Sequence, residues 1–190
     1  MDIPFTAVSI DADESFPRDL KEGDIPYYIS RAKARAYASQ LTDSQLLITS
    51  DTIVWADGKM LGKPHDETEA FAMLRSLSGK THQVYTAVTF AEKEALGISE
   101  SRCADISEKK ESQLVLMTEV DKTDVTFKEL TDEEIRYYID RYKPFDKAGA
   151  YGIQEWIGYI GCTAIRGSYF NVMGFPVHLV YQYLRSRGLL

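Results

Sequence analysis

Residues 46–64 read LLITSDTIVWADGKMLGKP. An apolar, β-branched run leads into Asp51 and Thr52 and continues through Ile53, Val54 and Trp55. Asp57-Gly58 is a turn signal between two extended segments, and the chain then returns to Lys63. Such a strand is expected to be buried, so a carboxylate inside it needs a partner or a task. A lysine brought back beside that carboxylate suits a site that handles both a metal and phosphate oxygens. The spacing predicts a strand over 46–55 and makes this segment the centre of a candidate active site.

Working outward, residues 26–41 (PYYISRAKARAYASQL) predict a helix, with Pro26 in its first turn and Asp24 as its cap. Ile29, Ala32, Ala36 and Tyr28 form its expected buried face. A second helix is expected over 66–77, with acidic residues in the first turn, Gly79 past its end, and an apolar stripe of Ala70, Met73, Leu74 and Leu77. Residues 82–91 (HQVYTAVTFA) and 114–128 have strand composition and predict a long antiparallel pair. Between them, 92–113 turns charged and aperiodic and reads as an exposed hairpin tip or insertion. Thr131-Asp132-Glu133-Glu134 is a capping box that opens a further helix. Residues 5–10 alternate like a short strand, 149–167 are punctuated by glycines, and a last helix is expected over 176–187. The expected architecture is α/β (mixed) or α+β around one elongated sheet.

The chain has 190 residues, which fits a single domain over 1–190. Its 22 basic against 29 acidic residues give a net charge of −7, which argues against a general nucleic-acid binder. Two cysteines, Cys103 and Cys162, are too few for a disulfide framework or a zinc cluster and read as plain thiols. No apolar run approaches the roughly 18 residues needed to span a bilayer. The N-terminus lacks the pattern of a signal peptide, so a cytoplasmic protein with no membrane partner is expected.

Asp51 taken alone suits a turn cap or a lysine pair as well as a catalytic role. Thr52 beside it, Lys63 in the return and the carboxylates of Asp13 and Glu14 favour chemistry, since Mg²⁺ takes few carboxylates and keeps sites for phosphate. Lys33, on the first helix, is a second candidate cation, although a lone helix lysine is usually solvated. Asp146-Lys147-Ala148-Gly149-Ala150-Tyr151-Gly152-Ile153-Gln154 offers a backbone that a ligand can approach closely. Gln154 carries both a donor and an acceptor, as reading a base edge requires. Ser168 and Asn171 either line a site or cap the last helix. His65, His82 and His178 share no metal-ligand spacing, and no Walker loop, Gly-x-Ser-x-Gly or Gly-x-Gly-x-x-Gly motif is present.

The segments SDTIVWADGKMLGKP, AFAMLRSLSGKTHQVYTAV, DVTFKELTDEEI, DKAGAYGIQ and GSYFNVMGFP, in this order, resemble the Maf family of nucleoside-triphosphate pyrophosphatases. The resemblance implies an elongated mixed β-sheet flanked by helices around a central cleft, like that of inosine-triphosphate pyrophosphatases. It implies cleavage between the α and β phosphates with Mg²⁺ or Mn²⁺. Position by position it makes Asp51 the carboxylate that activates water and Glu14 an acidic residue at the metal beside Asp51. It makes Lys33 and Lys63 phosphate contacts and sets base preference at Thr52 and Gln154. The Asp-Thr pair is similar to the branch that acts on dTTP and UTP. The family's opening strand and Ser-x-Ser-Pro-Arg-Arg loop have no match here, so the resemblance implies an N-terminally incomplete domain. Two alternatives stay open: a nucleotide-binding regulatory protein without turnover, and a pyrophosphatase preferring purine or 7-methyl-GTP substrates. An exposed sheet edge leads to the further expectation of a homodimer.

Overall fold

The computed structural model describes residues 3–95 and 112–190. Five strands form one sheet in the order β2-β1-β3-β4-β5: Leu47–Ala56 (β1), Lys59–Leu61 (β2), Thr81–Ala95 (β3), Ser112–Phe127 (β4) and Cys162–Arg166 (β5). Around them lie Asp24–Tyr37 (α1), Glu67–Leu77 (α2), Asp132–Tyr142 (α3), Trp156–Gly161 (α4), Tyr169–Val172 (α5) and Val177–Ser186 (α6). Every pairing is antiparallel, which narrows the expected mixed sheet. Parallel neighbours need crossover connections, whereas β1 turns straight into β2 at Asp57-Gly58. The long β3–β4 pair is matched from Thr81↔Thr126 to Ala95↔Ser112. Of the insertion expected over 92–113, residues 92–95 and 112–113 belong to β3 and β4, and 96–111 lie outside the described residues.

Strand alternation divides β1 and β3 between two cores. On one face Ile25 and Ile29 of α1 pack on Ile53 and Tyr85, and Ala34 packs on Leu47 and Ala91. On the other, Val54, Val84, Val125 and Phe127 meet α2, α3 and α4 in the largest cluster, while Val88 and Phe90 receive Val180, Tyr183 and Leu184 of α6. The predicted stripe of α2 is buried as expected, and Asp66 caps that helix by accepting from the Glu69 N–H at 2.8 Å. The capping box of α3 forms in full.

Four expectations are corrected. Residues 5–10 form no strand and Phe5 stays 87% exposed, because no described strand lies alongside to complete a ladder. The buried face of α1 is Ile25, Pro26, Ile29, Ser30 and Ala34, leaving Ala36 and Tyr28 exposed. Ser30 is drawn inward by hydrogen bonds to Tyr27 O and Thr89 Oγ1, which no hydrophobic pattern encodes. Gly23, not Asp24, is the N-cap of α1, and Asp24 sits in its first turn. The glycine-punctuated stretch contains α4 and β5; β5 escapes notice because its side chains are mostly exposed and do not alternate.

Candidate active site

The site is built at an edge. Strand β2 pairs only with Val54, Trp55 and Ala56. Beside the earlier part of β1 no strand is paired on that side among the described residues. Consecutive side chains point to opposite faces of a sheet, yet at an open edge both faces reach the same cleft. Asp51 projects on the α1 face and Thr52 on the α5 face. A cleft of about 250 Å³ runs along this edge, lined by Lys33, Asp51, Thr52, Lys63, Lys147 and Gln154 among others. A larger hollow of about 410 Å³ between α2 and α3 is lined by Glu67, Thr68, Phe71, Arg136, Ile139 and Asp140. It lacks a buried carboxylate with converging lysines, so the smaller cleft is the one with chemistry.

On the α1 face, Lys33 Nζ lies 2.7 Å from Asp51 Oδ1 and 3.0 Å from Glu14 Oε1, and it also reaches Ser50 O at 3.5 Å. Lys63 Nζ reaches the other Glu14 oxygen at 3.6 Å from the rim. Burial pushes the Asp51 carboxyl above the usual aspartate value, with the Glu14 charge adding to it and Lys33 and Lys63 opposing. Burial acts to lower the Lys33 pKa, but its bonds to Asp51 and Glu14 outweigh this and hold it above the usual value. Lys33 holds Glu14 below the usual value. The result is a buried base of raised affinity for protons, bracketed by cations.

The Asp51 and Glu14 carboxylates both reach the Lys33 ammonium, at 2.7 and 3.0 Å, and so open on the same part of the cleft. Mg²⁺ or Mn²⁺ needs one or two carboxylates and completes its shell with water and phosphate oxygens, and this pair meets that requirement. No cluster of three or more His, Cys, Asp or Glu side chains gathers among the described residues. A site of all-protein ligands is therefore not what the fold offers there.

The loop that carries Gln154 is clamped against the same edge. The Gly149 N–H donates to Gly62 O at 3.0 Å, next to Lys63. Gly149 adopts φ +68°, and a Cβ there would stand 2.9 Å from Val54 Cγ2, so glycine is required for the loop to lie on β1. The Tyr138 hydroxyl accepts from the Gly152 N–H at 3.0 Å and donates to Glu155, and Glu155 holds Lys147 at 3.3 Å. Gln154 itself is exposed, and its side chain makes no hydrogen bond among the described residues.

All five cleft candidates, Asp51, Thr52, Lys33, Lys63 and Gln154, thus come together, with Glu14 paired to the two lysines. The sequence reading missed Lys147, which lines the cleft between Asp146 and Glu155. Its position next to the two loop glycines was the available signal. Ser168 caps α5, and Asn171 is fully buried, donating from Nδ2 to Val84 O and Thr123 Oγ1. Both serve the fold. His82 is buried against Tyr151, while His65 and His178 lie on the surface.

The family description Maf-like protein matches residues 1–187. The chain belongs to the Maf family. Among Maf relatives, a dTTP/UTP pyrophosphatase of Bacteroides thetaiotaomicron is 50% identical over 176 residues, 93% of this chain and 81% of that protein. One of Parabacteroides distasonis with the same name is 47% identical over 187 residues, 97% of this chain and 86% of the relative. One of Flavobacterium psychrophilum is 45% identical over 184 residues, 97% and 84% respectively. The carboxylate–lysine cluster and the glycine loop clamped on β1 therefore lie within a Maf domain. No helix among the described residues is long and apolar enough to cross a membrane.

Proposed function

We propose that this chain hydrolyses dTTP and UTP to the nucleoside monophosphate and pyrophosphate. One observation carries the reading: a buried carboxylate of raised pKa, Asp51, sits between Glu14 and two lysines in a cleft that also holds Thr52 and Gln154. The names of the relatives supply the substrates. Asp51 takes a proton from water, and the water oxygen forms a bond to the α-phosphorus. The bond from that phosphorus to the bridging oxygen breaks, and pyrophosphate leaves with the electron pair. Lys33 and Lys63 offset charge that grows on the phosphate oxygens. Glu14 and Asp51 would hold Mg²⁺ or Mn²⁺, which when bound supplies further charge neutralisation on the triphosphate. Thr52, on the other face of β1, and Gln154, on the 146–155 loop, would meet the base.

The test is product analysis in ¹⁸O-labelled water. Purified protein with UTP and Mg²⁺ should release UMP and pyrophosphate in equal amounts, with the label in UMP. UDP and phosphate as products, or label in pyrophosphate, would refute attack at the α-phosphorus. A homodimer is proposed with this reading, on the strength of the exposed edge strand β5. Sedimentation at one chain mass, 21.5 kDa, over a range of concentrations would remove it.

A further inference from the structure

Behind Thr52 lies a short chain of hydroxyls whose protons can run in only one direction. Thr86 sits opposite Thr52 in the β1–β3 register and is fully buried. Its hydroxyl donates to Asn171 O at 2.8 Å. A threonine hydroxyl has a single proton, so Thr86 has none left for its second neighbour. That neighbour is Thr52 Oγ1, 2.9 Å away. The proton between them must come from Thr52. No other hydrogen bond engages the Thr52 hydroxyl among the described residues.

The end of the relay is fixed in place. Asn171 O also accepts from the Gly174 N–H at 2.9 Å, and the Asn171 side chain is anchored to Val84 O and to Thr123 Oγ1. Gly174, at φ +97°, lines the cleft so near Thr52 that a Cβ there would stand 3.2 Å from Thr52 Oγ1. Thr52 therefore faces the cleft as a hydroxyl whose proton is already committed and whose remaining capacity is lone pairs.

We propose that Thr86 is a positioning residue that makes Thr52 an obligate acceptor, so that the site takes pyrimidines carrying an N3–H and rejects those carrying an N3 lone pair. Uracil and thymine present that N–H; cytosine presents the lone pair. Accepting from N3–H keeps the relay intact, whereas cytosine sets two lone pairs against each other or forces Thr52 to abandon Thr86. The relay sorts ring edges by donor and acceptor and does not sort rings by size. The inference rests on the pyrimidine-triphosphate reading of the same cleft.

The test compares UTP, dTTP and CTP with the wild-type chain and with Thr86→Val, Thr86→Ser, Thr52→Val and the double valine variant. Wild type should favour UTP over CTP by about 100-fold or more in kcat/KM, because an unmatched polar edge is strongly rejected. Thr86→Val keeps the shape but frees the Thr52 proton, and should narrow that ratio by about tenfold, mostly through KM for CTP. Thr86→Ser should restore it, a rescue that loss of packing alone would not predict. Thr52→Val removes the acceptor directly and should narrow the ratio even if Thr86→Val does not fold. The double variant should be no less selective than Thr52→Val, since the two act as one unit. An unchanged ratio in folded Thr86→Val or in Thr52→Val, or equal use of UTP and CTP by wild type, would overturn the proposal. Calorimetric binding of UTP and CTP in EDTA asks the same question without turnover. Preference for UTP in binding with no cleavage would remove the hydrolytic reading and leave the relay standing; equal or no binding of both would remove the relay.

Discussion

Asp51 combines two demands that conflict. Burial raises its pKa and makes it a better base, yet a base must be unprotonated to work, and Lys33 and Lys63 pull the pKa back. Activity that depends on the ionised form is present above the Asp51 pKa and fades as pH falls through it. Lys33→Met removes the chief lowering cause, so the acid limb of kcat/KM should move to higher pH, in addition to the loss of the proposed phosphate contact. Glu14→Gln removes a raising charge, so in that variant the limb should move to lower pH. A pH–rate profile of both variants checks the signs; shifts in the same direction would contradict the assigned network. On the phosphate side, Lys63→Met should cost about 10²-fold in kcat/KM, a loss typical of one charge-stabilising contact, while leaving the fold intact.

At the scale of elements, His82 on β3 is a buried neutral imidazole held in an aromatic group with Phe127 and Tyr151. Burial lowers its pKa from 6.5 to about 4. The folded state then binds fewer protons than the unfolded state between these values. Stability is full above pH 6.5 and falls as pH drops toward about 4, by roughly 3 kcal/mol at about 1.4 kcal/mol per pKa unit. Urea unfolding at pH 7 and pH 4.5 should show this loss in wild type and much less of it in His82→Phe. An equal loss in both would assign the acid sensitivity elsewhere. Asp66→Ala, which deletes the cap of α2, should cost about 1 kcal/mol in the same assay.

Helices α2, α3 and α6 and the long β3–β4 pair were legible because caps and periodicity are local signals. The Asp51–Lys63 approach was legible too, because a hairpin brings the two segments together. What escaped depended on distant partners. Residues 5–10 alternate but have no neighbouring strand among the described residues, whereas β5 is a strand whose exposed side chains carry no alternation. Ser30 outranks Ala36 on the buried face of α1 because Thr89 waits across the interface. Lys147 is held by Asp146 at 2.9 Å and Glu155 at 3.3 Å, and its place beside the loop glycines was the one hint in the sequence that it lines the cleft.

Seen as a whole molecule, the sheet edge acts as a divider. Asp51, Lys33 and Glu14 gather on the α1 face, and Thr52, Thr86 and Asn171 on the α5 face, so in the proposed function one strand would separate phosphate chemistry from base recognition. The cleft is lined by residues of α1, β1 and the 146–155 loop, so under the proposed function a triphosphate would bridge all three. UTP with Mg²⁺ should therefore raise the melting temperature, with about 2.7 kcal/mol of added stability at 100 times Kd. The shift should shrink sharply in Lys33→Met. The most direct test of the central claim is turnover of Asp51→Asn under saturating UTP and Mg²⁺, with nucleotide binding measured alongside. The account predicts that binding persists while kcat falls by about 10²–10⁴-fold. Near-normal turnover by Asp51→Asn would contradict it.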